Sequence, residues 1–371
     1  MHVIHLIANC SSVPYFNQFA DRIGKYPEVK FSFVALYKER PQMLDDMKQR
    51  GCDCYWVKFD PEKRKSGMIS AFFSLYRLFR KLKPDVVNTH LFDDSLPGLL
   101  AAKLAGVKIR AIHKQDTGFH LHFAPKWVWA DKVNNSNATH IIAPSNESAQ
   151  FAIEKEGAPA KKVYVVHSGI DLDAITRQSE ADKQMLMAKY GLENKLVIGT
   201  IARLIEWKGY RYIIEAIKLL GSEADKLKFV FIGVGTQEAE LKVLVEKYDL
   251  QNKVVFTGWV DRKYIPSLFG LMEIYLHVST LEPFGFAVTE AMANGVPVVI
   301  NQSGGAGDVL EHKKTCYLVE GKNPKSIADG IRWMLDNSAE REAMKEEVKK
   351  IAIEEFSVDK MLDGFLKVYR S

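Results

Sequence analysis

Two glutamates, Glu282 and Glu290, lie on either side of a short turn in the stretch LEPFGFAVTEAMANGVPVV, and their spacing suits a ligand site. The turn follows the run IYLHVS at 274–279, which is typical of a buried strand. Pro283 fixes the backbone φ and Gly285 frees it, so the chain can turn sharply before 286–293 continue with helical spacing. The stretch therefore predicts a strand, a loop and the start of a helix.

A helix that begins in this way presents backbone N–H groups and a partial positive charge to its loop, which suits a phosphate. Glu282 in the loop and Glu290 about one turn into the helix can both accept hydrogen bonds from hydroxyl groups. Together they fit a ligand that carries phosphate and sugar. Taken alone, the spacing favours the plainer interpretation of a buried strand, an ordinary turn and a solvated helix face.

Arg203 and Lys208 follow another strand-like run, Val197 to Ala202, in the sequence IARLIEWKGY. An arginine offers a planar fork to phosphate oxygens and a lysine adds a compact second charge, so the pair can neutralise a diphosphate. The alternative is a solvated basic loop. Position at the carboxyl end of a strand favours the binding role.

The chain has 371 residues, 47% of them hydrophobic and 26% charged, which predicts a folded protein of two domains. No apolar run approaches the roughly 20 residues that span a bilayer, and the start MHVIHLIANCSS lacks the charged region of a signal peptide. We therefore expect a cytoplasmic protein. Its four cysteines show no metal-ligand spacing, which predicts free thiols and no metal.

The net charge of +5 is unevenly distributed. Residues 1–180 hold 25 lysines and arginines against 19 aspartates and glutamates, whereas residues 181–371 hold 26 against 27. The first half is thus more suited to an anionic partner, such as a membrane surface or a phosphorylated acceptor. The sequence lacks the clustered basic and aromatic pattern of a nucleic-acid binder, so we exclude that class.

Short β-branched runs alternate with amphipathic helical stretches along the chain, which predicts two parallel sheets covered by helices. A polar stretch, 171–194, separates two such series and is predicted to be a linker with a short helix. We place one domain at 1–170 and the other at 195–354, and expect a helix at 355–371 to pack back on the first. Ligands of open parallel sheets bind beyond the carboxyl ends of the strands, here expected in a cleft between the domains.

Several ordered motifs resemble the family 4 glycosyltransferases, retaining enzymes of the GT-B fold. The resemblance covers most of 163–371 and, more loosely, the first half. The segments that carry it are GTIARLIEWKGY, FIGVGTQEAELK, VVFTGWVDRKYIPSLF, the stretch from Glu282 to Glu290, VVINQSGGAGDVLE, PDVVNTHLFDDSLPGLLAAKLAGV and NATHIIAPSNESAQFA. It implies an α/β fold with two doubly wound Rossmann-like domains facing a central cleft.

The resemblance also implies a nucleotide-sugar donor site in the second domain and an acceptor site in the first. Arg203 and Lys208 match the family's diphosphate-binding pair, and Glu282 matches the glutamate that contacts the transferred sugar. Glu290 matches the glutamate that holds the ribose hydroxyls. The remaining donor-binding positions are the turn Phe284, Gly285, Phe286 and Ala287, and Trp259 and Val260, which lie where the base is held.

Four histidines of the first half are candidates for further contacts. His113, in AIHKQDTGFH, matches the family histidine that approaches the transferred sugar, although a lone histidine at a strand end is more often a structural hydrogen bonder. His90 matches another family histidine, with a structural role preferred. His120 and His122 are candidate acceptor contacts that nothing distinguishes from a packed loop.

The sequence departs from the family at the loop after the first strand, which is usually rich in glycine and meets the diphosphate. Here the loop reads ANCSSVPYFN. Ser11 and Ser12 can donate hydrogen bonds, and Ser12 is the candidate donor contact, but Val13 and Pro14 restrict how closely the backbone approaches. A second departure, HSGID at 167–171, keeps the glycine and aspartate of the family pattern and changes little.

The mechanism implied by the resemblance is a metal-independent transfer with retention and without a cofactor. No metal clamp for the diphosphate is identified in the sequence, and no carboxylate is fixed by it as a nucleophile. The leaving diphosphate would assist the incoming hydroxyl, with positioning and charge stabilisation supplying most of the rate. We expect a hexosyltransferase for glycan biosynthesis with a UDP-sugar, or alternatively a GDP-sugar, as donor.

The acceptor is expected to be a glycan or a lipid-linked molecule. The basic stretch KRKSGMISAFFSLYRLFRKLK at 63–83 is consistent with peripheral membrane contact, although a sheet-covering helix with a solvated face is preferred. Trp127 and Trp129 pose the same choice, with packing preferred. Alternative functions are a sugar-nucleotide epimerase or phosphorylase on the same fold, and a scaffold that binds a nucleotide sugar without catalysis.

Overall fold

The computed structural model describes residues 1–10, 13–115, 117, 118, 120, 121 and 124–371, without the side chains of Pro14 and Tyr15. Two compact units make up the chain. The first comprises Met1–Ser168 and Val358–Ser371, and the second comprises Gly169–Ser357. Of the helices in these described ranges, none combines the length and hydropathy needed to cross a bilayer.

The first unit contains a parallel seven-stranded sheet in the order β3-β2-β1-β4-β5-β6-β7. Its strands are β1 (His2–Ala8), β2 (Lys30–Tyr37), β3 (Asp53–Lys58), β4 (Val86–Thr89), β5 (Ile109–His113), β6 (His140–Ala143) and β7 (Val163–Val165). In β1, Val3 and Ile7 belong to one core cluster while Ile4 and Leu6 belong to another. Burial on both faces explains the continuous apolar runs of the sequence.

Helices connect these strands and cover the sheet. They are α1 (Pro14–Ala20), α2 (Met43–Gln49), α3 (Arg64–Leu82), α4 (Phe92–Leu104), α5 (Val128–Asn137) and α6 (Asn146–Glu154). In α3, Met68, Ala71, Leu75 and Phe79 are buried at helical spacing, so one stripe packs on the core and the opposite stripe faces solvent.

The second unit contains a parallel six-stranded sheet in the order β10-β9-β8-β11-β12-β13. Its strands are β8 (Leu196–Ile201), β9 (Leu227–Ile232), β10 (Val254–Gly258), β11 (Met272–His277), β12 (Val298–Asn301) and β13 (Cys316–Val319). The strand that precedes the glutamate turn thus ends at His277, two residues before the predicted end.

The helices of this unit begin inside the segment 171–194 that was predicted to be a linker. They are α7 (Leu172–Thr176), α8 (Glu180–Tyr190), α9 (Tyr210–Leu220), α10 (Glu238–Lys247), α11 (Ile265–Phe269), α12 (Phe286–Ala293), α13 (Gly304–Gly307), α14 (Pro324–Asp336) and α15 (Ser338–Phe356). Ile175, Leu186 and Tyr190 are buried in the core of the second unit. The segment is therefore an integral part of this unit and not a connector.

The last helix, α16 (Val358–Tyr369), belongs to the first unit. Met361, Leu362 and Phe365 share a core cluster with residues of β1 and α1. Buried Asn88 of β4 also donates to the Tyr369 hydroxyl at 2.7 Å. Only one residue, Ser357, separates α15 of the second unit from α16 of the first.

Candidate functional site

The candidate residues of the second unit lie at the point where the order of its parallel strands reverses, between β8 and β11. Strand β8 pairs with β9 on one side and with β11 on the other, so the connections that leave β8 and β11 run to opposite edges. The loops that follow these two strands therefore leave a crevice at their carboxyl ends, the usual ligand position in open parallel sheets. The first loop carries Arg203 and Lys208, and the second carries Glu282.

Glu282 is held through one carboxylate oxygen. Its Oε2 accepts hydrogen bonds from Lys208 Nζ and from His277 Nε2, the latter at 2.9 Å. Burial alone would raise the pKa of Glu282, but the hydrogen bond and charge of His277, together with the charge of Lys208, lower the pKa to about 2. The carboxylate is thus ionised at neutral pH and acts only as a hydrogen-bond acceptor.

The loop that carries Lys208 is attached to the loop that carries Glu282. The Trp207 carbonyl accepts a hydrogen bond from the Thr280 backbone N–H at 2.8 Å. Gly209 adopts φ 75°, and a Cβ atom there would lie 2.8 Å from Val278 Cγ2 and 2.9 Å from its carbonyl oxygen. Glycine is thus required at this position for the close approach that brings Lys208 to Glu282.

The turn between the two glutamates has the predicted form. Gly285 adopts φ 93° and α12 begins at the next residue. The Phe284 carbonyl accepts from the Gly305 backbone N–H at 2.8 Å, which ties the turn to α13. Phe286 and Ala287 occupy the first turn of α12, where N–H groups lack partners within the helix and can bind an anion.

Glu290 has different electrostatic surroundings. Its side chain is buried, and Oε1 accepts a hydrogen bond at 2.9 Å from Nη2 of Arg262, whose own side chain is 69% exposed. Burial raises the pKa of Glu290, while the charge and hydrogen bond of Arg262 act against that increase. The two glutamates thus differ, since the pKa of Glu282 is lowered and the pKa of Glu290 is raised.

Arg203 is exposed, and its guanidinium has no hydrogen-bond or ion-pair partner among the described residues. The backbone around it is fixed by hydrogen bonds from Ala202 N to Ile232 O at 3.1 Å and from Leu204 N to Val234 O at 3.0 Å. A Cβ atom on Gly233 would lie 2.2 Å from the Ala202 carbonyl oxygen. The backbone is therefore rigid, while the arginine fork is available to a ligand.

Trp259 and Val260 follow β10 and have contrasting exposure. Trp259 is 73% exposed, whereas Val260 is partly buried against the core. The Gly258 carbonyl accepts from the Gly233 backbone N–H at 3.0 Å, which joins this loop to the one beside Arg203. An exposed indole on a fixed backbone provides a flat face for a planar ligand group.

His113 lies in the first unit, at the end of β5, and is buried. Its ring meets the rings of His90 and Phe365 edge to face, at centroid distances of 5.4 and 5.1 Å. Burial lowers the pKa of His113 to about 3. His90 Nε2 also lies 3.0 Å from His5 Nδ1, so His113 belongs to a neutral histidine cluster.

The other sequence candidates of the first unit are only partly covered by the structure. His120 Nδ1 lies 2.8 Å from Asp131 Oδ2, and its ring contacts Phe92 at a centroid distance of 4.1 Å. Ser11, Ser12 and His122 lie outside the described residues.

Sequence reasoning missed His277 and Arg262, the partners of the two glutamates. Both had a detectable signal. His277 is the polar residue in the otherwise apolar strand IYLHV, and Arg262 closely follows Trp259 in WVDRKY. Within the described ranges, no group of three or more histidine, cysteine, aspartate or glutamate residues is arranged to hold a metal ion.

Comparisons with known proteins find glycosyltransferases along most of the chain. The model described as Glycosyl transferases group 1 matches residues 182–351, and the model described as Glycosyltransferase Family 4 matches residues 33–174. An uncharacterised glycosyltransferase of Methanocaldococcus jannaschii is 31% identical over 62% of this chain and 59% of its own. Alpha-D-kanosaminyltransferase of Streptomyces kanamyceticus is 24% identical over 65% of this chain and 63% of its own.

The match thus spans less than two thirds of the length of each of these two relatives. Among solved structures, HepE of Anabaena in complex with UDP has a TM-score of 0.82 at 20% identity and covers 99% of each chain. This likeness confirms the predicted fold class.

Proposed function

We propose that this chain, which belongs to the family 4 glycosyltransferases of the GT-B fold, transfers a sugar from a nucleotide-diphosphate sugar to a hydroxyl group of an acceptor. The observation that carries the proposal is the set of charged groups at the reversal point of the second sheet. Arg203, Lys208 and the first turn of α12 supply positive charge and N–H donors, while Glu282 supplies an ionised acceptor. This combination matches a diphosphate joined to a sugar.

Each donor group has a role in this proposal. Arg203 and Lys208 bind the diphosphate, and Glu282 accepts a hydrogen bond from a hydroxyl of the transferred sugar through Oε1, since Oε2 already binds Lys208 and His277. Glu290 binds the ribose hydroxyls, and Trp259 lies against the base. The second unit is thus the donor-binding unit, and the first unit is assigned to the acceptor.

The transfer proceeds with retention. The bond between the anomeric carbon and the leaving diphosphate breaks as the acceptor oxygen bonds to the same face, and the acceptor proton passes to the departing phosphate oxygen. Glu282 does not donate this proton, because its pKa of about 2 keeps it ionised. Arg203 and Lys208 stabilise the charge that develops on the diphosphate, so the step requires no metal ion or cofactor.

We assign UDP as the nucleotide of the donor in preference to GDP. The support is the fold shared with HepE, whose structure contains UDP.

Peripheral contact with an anionic membrane is part of the proposal. Helix α3 carries five basic residues and no acidic residue. Ile69 is 62% exposed and Phe73 is 53% exposed, and both lie on the stripe that faces away from the core. We expect the protein to sediment with vesicles that contain phosphatidylglycerol. The double variant Ile69→Ser with Phe73→Ser should abolish this sedimentation. If the unmodified protein does not sediment with the vesicles, the membrane contact is contradicted.

A thermal-shift experiment with UDP-, GDP- and ADP-glucose tests the donor assignment, because a ligand that binds only the folded state raises the melting temperature. UDP-glucose is expected to give the largest shift. Arg203→Ala should abolish the shift without changing the melting temperature of the free protein, since Arg203 is exposed. Lys226→Ala, at another exposed site of the same unit, is the matched control. Absence of a shift with all three sugars would contradict the proposal.

A further inference from the structure

A second cationic site lies in the first unit, at the carboxyl ends of its strands. Arg64 begins α3 after β3, Phe92 and Asp93 begin α4 after β4, and Asn9 follows β1. Trp127 lies in the segment between β5 and α5. Four separate loops thus meet at the edge of the sheet where ligands bind in this type of fold.

Arg64 is held there by contacts on its inner side. Its Nε donates to Asp93 Oδ1 at 2.5 Å, and the centre of its guanidinium lies 4.5 Å from the Phe92 ring and 4.9 Å from the Trp127 ring. The second oxygen of the buried Asp93 accepts from Asn9 Nδ2 at 2.6 Å. Asn9 itself adopts the left-handed backbone conformation, with φ 57°. The guanidinium is therefore fixed in position and orientation.

The outer side of this guanidinium is open. The Arg64 side chain is 31% exposed, and its two terminal amino groups have no hydrogen-bond partner within the described part of the chain. The neighbouring Lys63 and Lys65 are exposed and add positive charge. A fixed arginine fork with free amino groups fits two oxygens of one phosphate, and the adjacent lysines favour a doubly charged group.

Aromatic rings extend the site beyond Arg64. Trp129 is 53% exposed and stacks on Trp127 with a centroid distance of 6.0 Å and an angle of 28° between the ring planes. Such a pair presents a flat apolar face next to the cationic group. A ligand with a phosphate attached to a sugar ring or to an apolar group matches both parts.

We propose that Arg64 binds a phosphate group of the acceptor substrate, and that Trp127 and Trp129 hold the part of the acceptor next to that phosphate. This inference rests on the proposed glycosyltransferase function and identifies the chemical class of its acceptor. Both a water-soluble sugar phosphate and a phospholipid provide such a group.

Acceptor pairs with and without a phosphate group test the inference with UDP-glucose as donor. Glucose and glucose 6-phosphate form the soluble pair, and diacylglycerol and phosphatidylglycerol in detergent micelles form the lipid pair. The phosphorylated member is expected to have the higher kcat/KM, and the pair that shows this preference identifies the source. Arg64→Gln should raise the KM of that acceptor about 10-fold or more, with the KM of UDP-glucose unchanged.

Two further variants separate the arginine fork from general charge. Arg64→Lys should retain part of the effect because it keeps the charge without the fork. Lys65→Gln, which removes the adjacent exposed charge, should change the acceptor KM less than about 2-fold. Equal losses in Arg64→Gln and Lys65→Gln, or equal effects of Arg64→Gln on both members of a pair, would overturn the inference.

Binding of inorganic phosphate gives a readout that is independent of transfer. With the donor site saturated by UDP, phosphate is expected to shift the indole N–H resonances of Trp127 and Trp129 in the unmodified protein and in Lys65→Gln, but not in Arg64→Gln. Phosphate shifts that persist in Arg64→Gln would overturn the site. A protein that binds phosphate through Arg64, yet neither transfers nor hydrolyses UDP-, GDP- or ADP-glucose, would retain the site and refute the proposed function.

Discussion

In both sheets the strand order reverses between two central strands, but the side chains at the two reversal points differ in charge and burial. In the second unit, the loops after β8 and β11 present Arg203, Lys208 and Glu282 around an open crevice. In the first unit, the equivalent point between β1 and β4 is occupied by Asp94. This buried carboxylate accepts backbone hydrogen bonds from Ala8 and His90, each at 3.0 Å, and from Leu91.

The pKa values of the buried side chains also differ between the two reversal points. In the first unit, burial lowers the pKa of His5 and His113 to about 3 and raises the pKa of Asp94 well above its ordinary value, against the hydrogen bonds from the backbone. In the second unit, the hydrogen bond from His277 and the charge of Lys208 help to lower the pKa of Glu282 to about 2 in spite of burial. Asp94 thus satisfies backbone groups of its own unit, whereas Arg203 in the second unit has no partner among the described residues.

The largest effect is expected from Glu282→Gln, which removes the negative charge of this carboxylate from the crevice of the second unit. Sugar transfer should fall about 100- to 1000-fold, because the sugar loses an ionised acceptor fixed by two partners. Binding of UDP should persist, since Arg203 and Lys208 remain. Steady-state kinetics and calorimetric titration with UDP measure the two quantities. Glu206→Gln, at an exposed position in the loop that carries Arg203 and Lys208, is the control, and near-normal turnover of Glu282→Gln would refute the assignment.

Asp94→Asn tests whether the first region depends on its internal carboxylate. The change replaces an acceptor oxygen with an NH₂ group that faces backbone N–H donors, so we expect a loss of roughly 3 kcal/mol in the free energy of unfolding. Urea denaturation measures this loss. The exposed Glu39 provides the control Glu39→Gln. Unchanged stability of Asp94→Asn would remove the contrast between the regions.

His277 differs from the buried His5 of the first unit because it forms a hydrogen bond with an ionised carboxylate, that of Glu282. His277→Leu removes the largest contribution that lowers the pKa of Glu282, so that pKa should rise. Glu282 is active when ionised, and activity should therefore begin to fall at a higher pH than in the unmodified protein as the solution is acidified.

We expect kcat of His277→Leu to decrease about 10-fold at neutral pH, with a smaller change in KM. His277→Gln can still donate a hydrogen bond to Glu282 and should recover part of kcat. A pH profile of kcat/KM from pH 3 to 8 measures the shift, because a Glu282 pKa of about 2 leaves the unmodified protein without an acidic limb from this group in that range. If the acidic limb of His277→Leu coincides with that of the unmodified protein, His277 has only a structural role.

The smallest effect is expected from Trp259→Ala, at the exposed end of the second unit's proposed site. Loss of one stacking face should weaken binding of UDP by about 1 kcal/mol, or about 5-fold, with kcat at saturating donor nearly unchanged. Calorimetric titration measures the affinity. Val243→Ala removes a comparably exposed apolar side chain elsewhere in the unit and is the control. Equal affinities in the two variants would argue against contact with the base.

Local patterns predicted the parts of the molecule that depend on neighbouring residues. The apolar runs identified the parallel sheets, and Pro283 with Gly285 predicted the turn before α12. The segment 171–194 was misinterpreted because its many charged residues concealed Ile175, Leu186 and Tyr190, which become buried only when the helices pack. Hydrophobic periodicity in short helices is a weak signal.

Contacts between distant segments escaped prediction for a different reason. The pairing of Glu290 with Arg262, and the position of Arg64 between Phe92 and Trp127, depend on which loops the strand order brings together. A single sequence contains the residue types of such contacts but not their partners. Asp94 was overlooked for the same reason, because its backbone donors include Ala8 at the end of a different strand.

The position of α16 has a consequence for synthesis of the chain. Phe365 and Leu362 complete the core of the first unit, yet they are synthesised only after the whole of the second unit. Domains usually fold as units in order of their synthesis. Here the second unit is continuous in sequence and can fold first, whereas the first unit must wait for α16, which is made after the whole of the second unit. A chain that is cut short after α15 would therefore leave the sheet of the first unit without one of its covering helices and prone to aggregate.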